Sequence, residues 1–406
     1  MAVHYIPSAM EPMFPEPVGL EDLAVEVIRK SAALEGRLHA IPRRSVVELL
    51  RTINGYYSNL IEGHATHPVD IERAMRNDYS ADPAKRALQL EGRAHVEVDR
   101  LIDGCLRSEP GLNVCDAAFL KWIHAEFYRR MPEEFSVVDA RAANRALRLA
   151  GGELRDQDVV AARHVAPAHD AIPEFLERFS EVYEPGRLTE TRKVLAFAAS
   201  HHRLLWIHPF LDGNGRVARL FSSAYARRAR IDGHGLWTVS RALARRRDEY
   251  MAALAGADSE RSNDYDGRGN LSLRALGEFC RFFLETCLDQ IEFMAGMLEP
   301  DGLAGRITGY VELRGHGIVP DRDHLRPEAG RLLVEALHHG EVERGAAARV
   351  TGLGTRTARS LVSKLIAEEL LYSETPKGPL RLGLPMDAVS YYFPRLYSDE
   401  VGLAPA

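Results

Sequence analysis

His208-Pro-Phe-Leu-Asp-Gly-Asn-Gly-Arg-Val-Ala-Arg219 puts a base, a carboxylate, a glycine-rich turn and two arginines into one short stretch. The glycines of Gly213-Asn214-Gly215 allow consecutive backbone N–H groups to point into one concavity, an anion nest. The chain continues Val217-Ala218-Arg219-Leu220-Phe221, a predicted helix. The nest is therefore expected at a helix N-terminus, where unpaired N–H groups and the macrodipole favour phosphate. Arg216 and Arg219 are three apart and share a helix face, so both guanidiniums can reach one polyphosphate. Asp212, just outside the turn, is a hard oxygen ligand suited to Mg²⁺ bridging phosphate oxygens. His208 titrates near neutrality in its ordinary state and suits a general base. Preceding a proline, it is expected outside the helical region. Together these groups suit a site that holds a nucleotide's phosphates while a proton leaves an incoming nucleophile. A plain corner between two helices, turned on Asn-Gly, would leave the histidine, the aspartate and the arginine spacing without a reason.

As HPFx[D/E]GNGRxxR, these residues resemble the signature of the Fic family, which transfers AMP from ATP to protein hydroxyls, and they match it at every specified position. The resemblance implies ATP lying with its α-phosphate over Gly213-Asn214-Gly215. A target serine, threonine or tyrosine hydroxyl would attack in line, His208 would take its proton, and pyrophosphate would leave. Mg²⁺ on Asp212 would offset charge on the leaving group, and the Asn214 side chain would add a donor. Arg216 and Arg219 would clamp the β and γ positions, Arg219 nearer the terminal phosphate. Phe210 is expected to pack under the loop. The site has no lysine and the chain no GxxxxGK[ST], which speaks against a P-loop NTPase. His201 and His202 do not match zinc-ligand spacing with His208 and are expected to be ordinary helix residues. A segment from Glu153 to Pro167 matches the position of the family's flap, which clamps a target by strand addition. Tyr250 falls in a region that lines the adenine pocket in similar proteins; as a residue it reads equally as a core tyrosine.

Ser58-Asn59-Leu60-Ile61-Glu62-Gly63 resembles the family's inhibitory motif, [S/T]xxxE[G/N]. Ser58 and Glu62 are four apart and share one helical face. The resemblance implies that Glu62 pairs with Arg219 and keeps it from the γ-phosphate, in the subclass whose brake precedes the catalytic domain. The same glutamate could instead position water for removing AMP from a modified protein. A third reading, of another class, is a nucleotide-sensing transcriptional regulator.

At 406 residues the chain is long enough for two or three domains. A net charge of −6 speaks against wholesale binding to nucleic acid or membrane surfaces. Cys105, Cys115, Cys280 and Cys287 form no CxxC pair and are expected as buried reduced thiols. No apolar run approaches a membrane span, and the first residues carry neither a basic flank nor an apolar core, so the cytoplasm is expected.

Helical periodicity runs over 20–38, 45–61, 84–106, 116–130, 172–182, 192–208, 214–229, 239–255 and 271–297. Ser45 is expected to cap the second of these after Pro42, and Gly63 to end it. Two small strands are expected between Ala150 and Pro167, from Leu154, Val159, Val160 and Val165. The Gly- and Pro-bearing run from Pro300 to Pro327 reads as a linker. Beyond it, helices over 331–339, 346–350 and 355–369 precede strands near Leu371 and Arg381. They resemble a winged helix-turn-helix whose third helix carries Arg356, Arg359 and Lys364, with DNA as a candidate partner. The expected architecture is mostly α: an inhibitory helical region over 1–75, a Fic helical bundle with a hairpin flap over 76–300, and the winged module over 325–390. The expected partners are ATP and a protein target, which can be the chain itself.

Overall fold

The computed structural model describes residues 7–132, 137–140, 145–161 and 164–397. It is predominantly helical, with only short strands. The chain divides into two compact units, one of Met1–Ser31, Asn54–His234 and Thr238–Gln290, the other of Ala32–Ile53, Gly235–Trp237 and Ile291–Ala406. This differs from the expected boundaries at 75 and 300. Residues 32–53 group with the C-terminal part and not with an N-terminal region.

The first unit is built on α4 (Pro83–Ser108), α5 (Ala117–Tyr128), α6 (Ile172–Tyr183), α7 (Glu190–Ile207) and α8 (Asn214–Ala229). Local chemistry sets the starts of the first two. Asp82 caps α4 through the Ala84 N–H with Pro83 in the first turn, and Asp116 caps α5 through the Ala118 N–H. α8 packs against α4, α5 and α7 and is buried on most of its surface, from Asn214 to Ala229. A side chain with ionic chemistry therefore needs a partner there. Arg227 of α8 finds Asp99 of α4, with Nη2 2.9 and 2.7 Å from its two carboxylate oxygens, and Asp99 is 1% exposed. The aromatic core continues through Phe179, Phe221, Tyr225 and Phe197.

Two hairpins lie between α5 and α6. β3 (Val160–Ala161) and β4 (His164–Val165) fall inside the expected segment, pairing Val160 with Val165. Leu154 belongs to no strand. An earlier antiparallel pair, β1 (Val137–Ala140) and β2 (Arg145–Arg148), with Val137 opposite Arg148, is not evident from the sequence because apolar and polar residues do not alternate cleanly across it. A further helix without a clear sequence signal, α3 (Pro68–Met75), is short and buries only Pro68, Ile71 and Ala74. The expected helix over 239–255 is two pieces, α9 (Ser240–Arg245) and α10 (Arg247–Ala257), divided at Arg246.

Helix α2 (Ala40–Ile61) starts five residues before Ser45. Pro42 is tolerated because the first helical turn needs no N–H there. Ser45 Oγ instead donates to the Leu382 carbonyl (2.9 Å). Gly63 does end the helix, at φ 88°.

In the second unit the expected linker is a helix, α12 (Pro300–Gly315). Its glycines suggest flexible chain, but Leu303, Ile307, Tyr310, Val311 and Arg314 recur at helical spacing and are buried. Glu299 caps it through the Asp301 and Gly302 N–H groups. Tyr310 meets Tyr392 of α16 (Met386–Tyr392) edge to face at 5.4 Å, and buried Arg314 pairs with Glu368 at 2.9 Å. After α12 come α13 (Glu328–His339), β5 (Glu341–Val342), α14 (Ala347–Thr351), α15 (Thr355–Ala367), β6 (Leu371–Tyr372) and β7 (Leu380–Leu382), with strand order β5-β7-β6. On α15, Arg356 and Arg359 are exposed, whereas Lys364 donates to the His324 carbonyl (2.8 Å).

The four cysteines are free; Cys115, Cys280 and Cys287 are buried and Cys105 is half-buried. Among the described residues no helix is long and apolar enough to cross a membrane.

Asp99→Ala leaves the Arg227 guanidinium without its carboxylate. The expected loss is about 3–5 kcal/mol of unfolding free energy, read from denaturant titration.

Candidate active site

α7 ends at His208 and α8 begins after Gly213, and both joints are left-handed: His208 at φ 49°, ψ 61°, and Gly213 at φ 80°, ψ 4°. The proline after His208 keeps it out of the right-handed helical region, as expected, but the result is the left-handed region and not an extended one. Gly213 is glycine for two reasons. Its φ disfavours any side chain, and a Cβ there would lie 2.9 Å from the Tyr128 ring.

The loop between these joints is braced by Asn214. Its Oδ1 accepts the Phe210 N–H (3.0 Å) and its Nδ2 donates to the Phe210 carbonyl (2.8 Å). The amide expected to reach phosphate thus gives its oxygen and one of its two N–H donors to the loop's own backbone. Phe210 packs beneath, fully buried and stacked on His124 at 4.0 Å. His124 Nε2 donates to the Asp212 carbonyl (3.2 Å), while Nδ1 accepts the Gly152 N–H (2.8 Å). A carbonyl only accepts and a backbone N–H only donates, so one neutral tautomer satisfies both. Burial pushes the ring down to about 4, consistent with that neutral form. The first helical bond of α8 runs from the Val217 N–H to the Gly213 carbonyl (2.9 Å). The N–H groups of Asn214, Gly215 and Arg216 precede it, at the positive end of the helix dipole.

Both arginines of the stretch are nearly buried and both are held by acids. Arg216 Nη2 donates to Asp212 Oδ2 (2.8 Å) and to the Tyr128 hydroxyl (3.1 Å), and Nη1 to Glu91 Oε1 (3.1 Å). The Tyr128 hydroxyl also donates to Asp212 Oδ2 (2.8 Å). Glu91, 1% exposed, accepts from His64 Nδ1 at 2.7 Å through its other oxygen. Arg219 Nε donates to Ser58 Oγ (2.9 Å), and its Nη2 to the Ser58 carbonyl (3.2 Å) and Glu62 Oε1 (2.5 Å). The Glu62 carboxylate lies so close to Gly215 that a Cβ there would overlap Oε1. Burial pushes the Glu62 carboxyl up, but Arg219 and Arg216 outweigh it and hold it below the usual carboxylate range. Asp212 behaves alike: burial raises it, and Arg216 with the Tyr128 hydroxyl brings it below its ordinary value.

His208 is half-buried. Burial, then the neighbouring His164 and Arg155, push its ring down to about 4, so it is neutral and able to accept a proton at pH 7. Its main chain is gripped from outside the loop, by Arg155 Nε on the His208 carbonyl (2.8 Å) and by the Arg155 N–H on the Pro209 carbonyl (3.0 Å).

The remaining sequence candidates are core. His201 bonds Ser222 and Tyr250, each at 2.7 Å, and burial pushes it down to about 3. His202 bonds Asp258 (3.1 Å) and accepts from Arg203 (2.8 Å). Tyr250, 1% exposed, is a core tyrosine partnered by His201. Sequence reasoning missed Glu91, His124, Tyr128 and Arg155. His124 and Tyr128 share an α5 face by their spacing, but nothing local says that this face meets the loop.

Residues 114–226 match the Fic/DOC family model, and the whole His208–Arg219 stretch lies inside that range. A protein adenylyltransferase Fic from Nematostella vectensis is 30% identical over 224 residues, 52% of this chain and 46% of that protein. A protein of the same description from Drosophila ananassae is 30% identical over 115 residues, 27% of this chain and 23% of its own length. The chain thus spans less than half the length of these curated relatives. Among solved structures, a Fic family protein from Desulfovibrio desulfuricans has the same fold at TM-score 0.51 and 17% identity, over 89% of this chain and 95% of the other. A Fic domain containing signaling protein from Bacteroides thetaiotaomicron reaches 0.50 at 19% identity, over 67% and 95%. Residues 114–226 of this chain, with the whole His208–Arg219 stretch among them, are thus similar to the Fic/DOC family.

Proposed function

We propose that this chain is an autoinhibited protein adenylyltransferase that moves AMP from ATP to a serine, threonine or tyrosine hydroxyl of a protein. The observation that carries the reading is the hold on Arg219. Ser58 and Glu62 take its donors at the mouth of an anion-binding helix end, and the glutamate remains a third exposed. A buried arginine beside free helical N–H groups is a phosphate site, and a carboxylate seated on it competes with phosphate. The curated relatives' name, protein adenylyltransferase, agrees with this chemistry.

With Glu62 displaced, Arg219 and Arg216 would meet the β- and γ-phosphates, and the N–H groups of Asn214, Gly215 and Arg216 the α-phosphate. His208, neutral at pH 7, would take the proton of the attacking hydroxyl as its oxygen bonds the α-phosphorus and the bond to pyrophosphate breaks. The negative charge of bound phosphates raises the ring's affinity for that proton. Asp212 fits Mg²⁺ as a lone carboxylate ligand. Its carboxyl is ionised at neutral pH, and no cluster of three acidic, histidine or cysteine ligands occurs among the described residues. One carboxylate would suffice to hold Mg²⁺ beside a nucleotide, because that ion is commonly bound through one or two carboxylates together with substrate phosphates. When bound, the ion would offset charge on the departing pyrophosphate. The C-terminal elements from α13 to β7 we read as a winged helix-turn-helix module, on the support of their order and the β5-β7-β6 sheet.

Glu62→Gly should raise incorporation of labelled AMP about ten- to hundredfold, the equivalent of a charged hydrogen bond of about 1.5–3 kcal/mol. Equal labelling by the parent and this variant would refute the brake. In the Glu62→Gly background, His208→Ala should lower initial rates by about 10²–10⁴. The pH profile gives a further check. Because the ring's pKa is depressed to about 4, the base form persists through neutrality, and kcat/KM should fall only as pH drops towards that value.

A further inference from the structure

The segment between β2 and β3 carries a cation that none of the proposed steps uses. The Arg155 side chain is fully buried, and the carboxylate of Asp158 lies 4.0 Å away, beyond hydrogen-bonding distance. Its donors go to main-chain carbonyls: Nε to His208 (2.8 Å), Nη1 to Gln157 (2.9 Å) and Nη2 to Pro167. Its own N–H donates to the Pro209 carbonyl (3.0 Å). Burial pushes the guanidinium down to about 10, which leaves it charged at neutral pH. Burying a charge away from a close counter-ion is expensive, so its carbonyl contacts must matter to the fold or to the site. A planar fork can span these carbonyls and a lysine ammonium cannot.

What it spans is the joint that needs holding. His208 is a non-glycine residue in the left-handed region, which costs roughly 1–2 kcal/mol and persists only where surroundings over-determine it. Inside α7 the joint is tied by the His208 N–H to the Leu204 carbonyl (3.1 Å) and by the ring to the Leu205 backbone. Arg155 supplies two more, on the carbonyls of His208 and of the residue after it.

We propose that Arg155 is the positioning residue of His208. It clamps the His208–Pro209 main chain from the segment between the hairpins, so that the imidazole's place in the site is set by that segment as well as by α7. The inference rests on the reading of His208 as base, and its charge adds a second consequence. The groups facing the ring are His164 of β4, Arg155 and Asp212 of the loop; Arg155 and His164 disfavour a second positive charge there and Asp212 favours it.

The test uses the full chain with Glu62→Gly, and two further variants, Arg155→Gln and Arg155→Lys. NMR titration of the histidine rings, with His208 assigned by its loss in His208→Asn, reads the ring without any need for activity. Arg155→Gln should raise the His208 pKa above the parent's, burial and His164 still holding it below its ordinary value, and lower kcat for AMP transfer about tenfold or more, with KM for ATP unchanged. Arg155→Lys, which keeps the charge but not the fork, should hold the pKa near its parent value yet still lower kcat. An Arg155→Gln ring that titrates as in the parent overturns the inference. So does an Arg155→Lys enzyme with parental kcat, which also decides the matter if Arg155→Gln does not fold. If the Glu62→Gly parent transfers no AMP, the adenylyltransferase reading fails, and the ring titration still judges Arg155.

Discussion

The site depends on a hydrogen-bonded ring that closes one short loop. Asn214, the first residue of α8, takes both the N–H and the carbonyl of Phe210. The loop cannot then open without leaving a buried amide and two buried main-chain groups unpaired, each a loss of about 1–3 kcal/mol. With that ring closed, Gly213 must turn left-handed, Asp212 is carried to the Tyr128 hydroxyl, and α8 starts where its N-terminal N–H groups meet the two arginines. His124 secures the underside through a neutral ring that holds the Asp212 carbonyl with one nitrogen and the Gly152 N–H with the other.

Charge organises what surrounds the loop. Arg216 and Arg219 are almost out of water, and cations there persist only with acids beside them. Asp212 and Glu91 serve Arg216, and Glu62 with Ser58 serves Arg219. Glu91 also accepts His64, two residues past Glu62, so one buried carboxylate ties the end of the α2 segment to the arginine of the loop. The acids differ in access to solvent. Glu91 is sealed inside, whereas Glu62 and Asp212 keep a third or more of their side chains exposed. An anion arriving from water can contest the exposed carboxylates far more readily than the sealed one.

Much of this is legible in the linear chain because the groups are close along it. A turn with glycines, followed by arginines at helical spacing, sets unpaired N–H groups and two guanidiniums at one helix end whatever the rest of the protein does. The pairing of Glu62 with Arg219 is readable only through resemblance, since 157 positions separate the two. Asn214 has a structural role that its spacing does not reveal. Its spacing suggests an amide on phosphate, and the structure shows that amide also closing the loop's backbone. Misreadings elsewhere arise at glycine and proline. The glycines of 300–315 suggest a linker, and burial of Leu303, Ile307 and Tyr310 makes that stretch a helix. Pro42 looks like a boundary, and α2 begins before it. At 300–315 packing overrides glycine's local preference of about 1 kcal/mol per residue, whereas Pro42 lies in the first turn of α2, where the missing N–H breaks no helical bond.

The sequence by itself determined which reactive groups stand together in the His208–Arg219 stretch. Short-range spacing decides which groups share a helix face and where a chain can turn left-handed, and both follow from bond geometry and sterics. Only the tertiary structure decided which groups surround that stretch: Tyr128, His124 and Glu91 from other helices, and Arg155 from the segment between the hairpins. Their roles arise from burial, which no local spacing encodes. A carbonyl, an arginine or an imidazole removed from water must find a partner, and the fold alone determines which residue is near enough to be it.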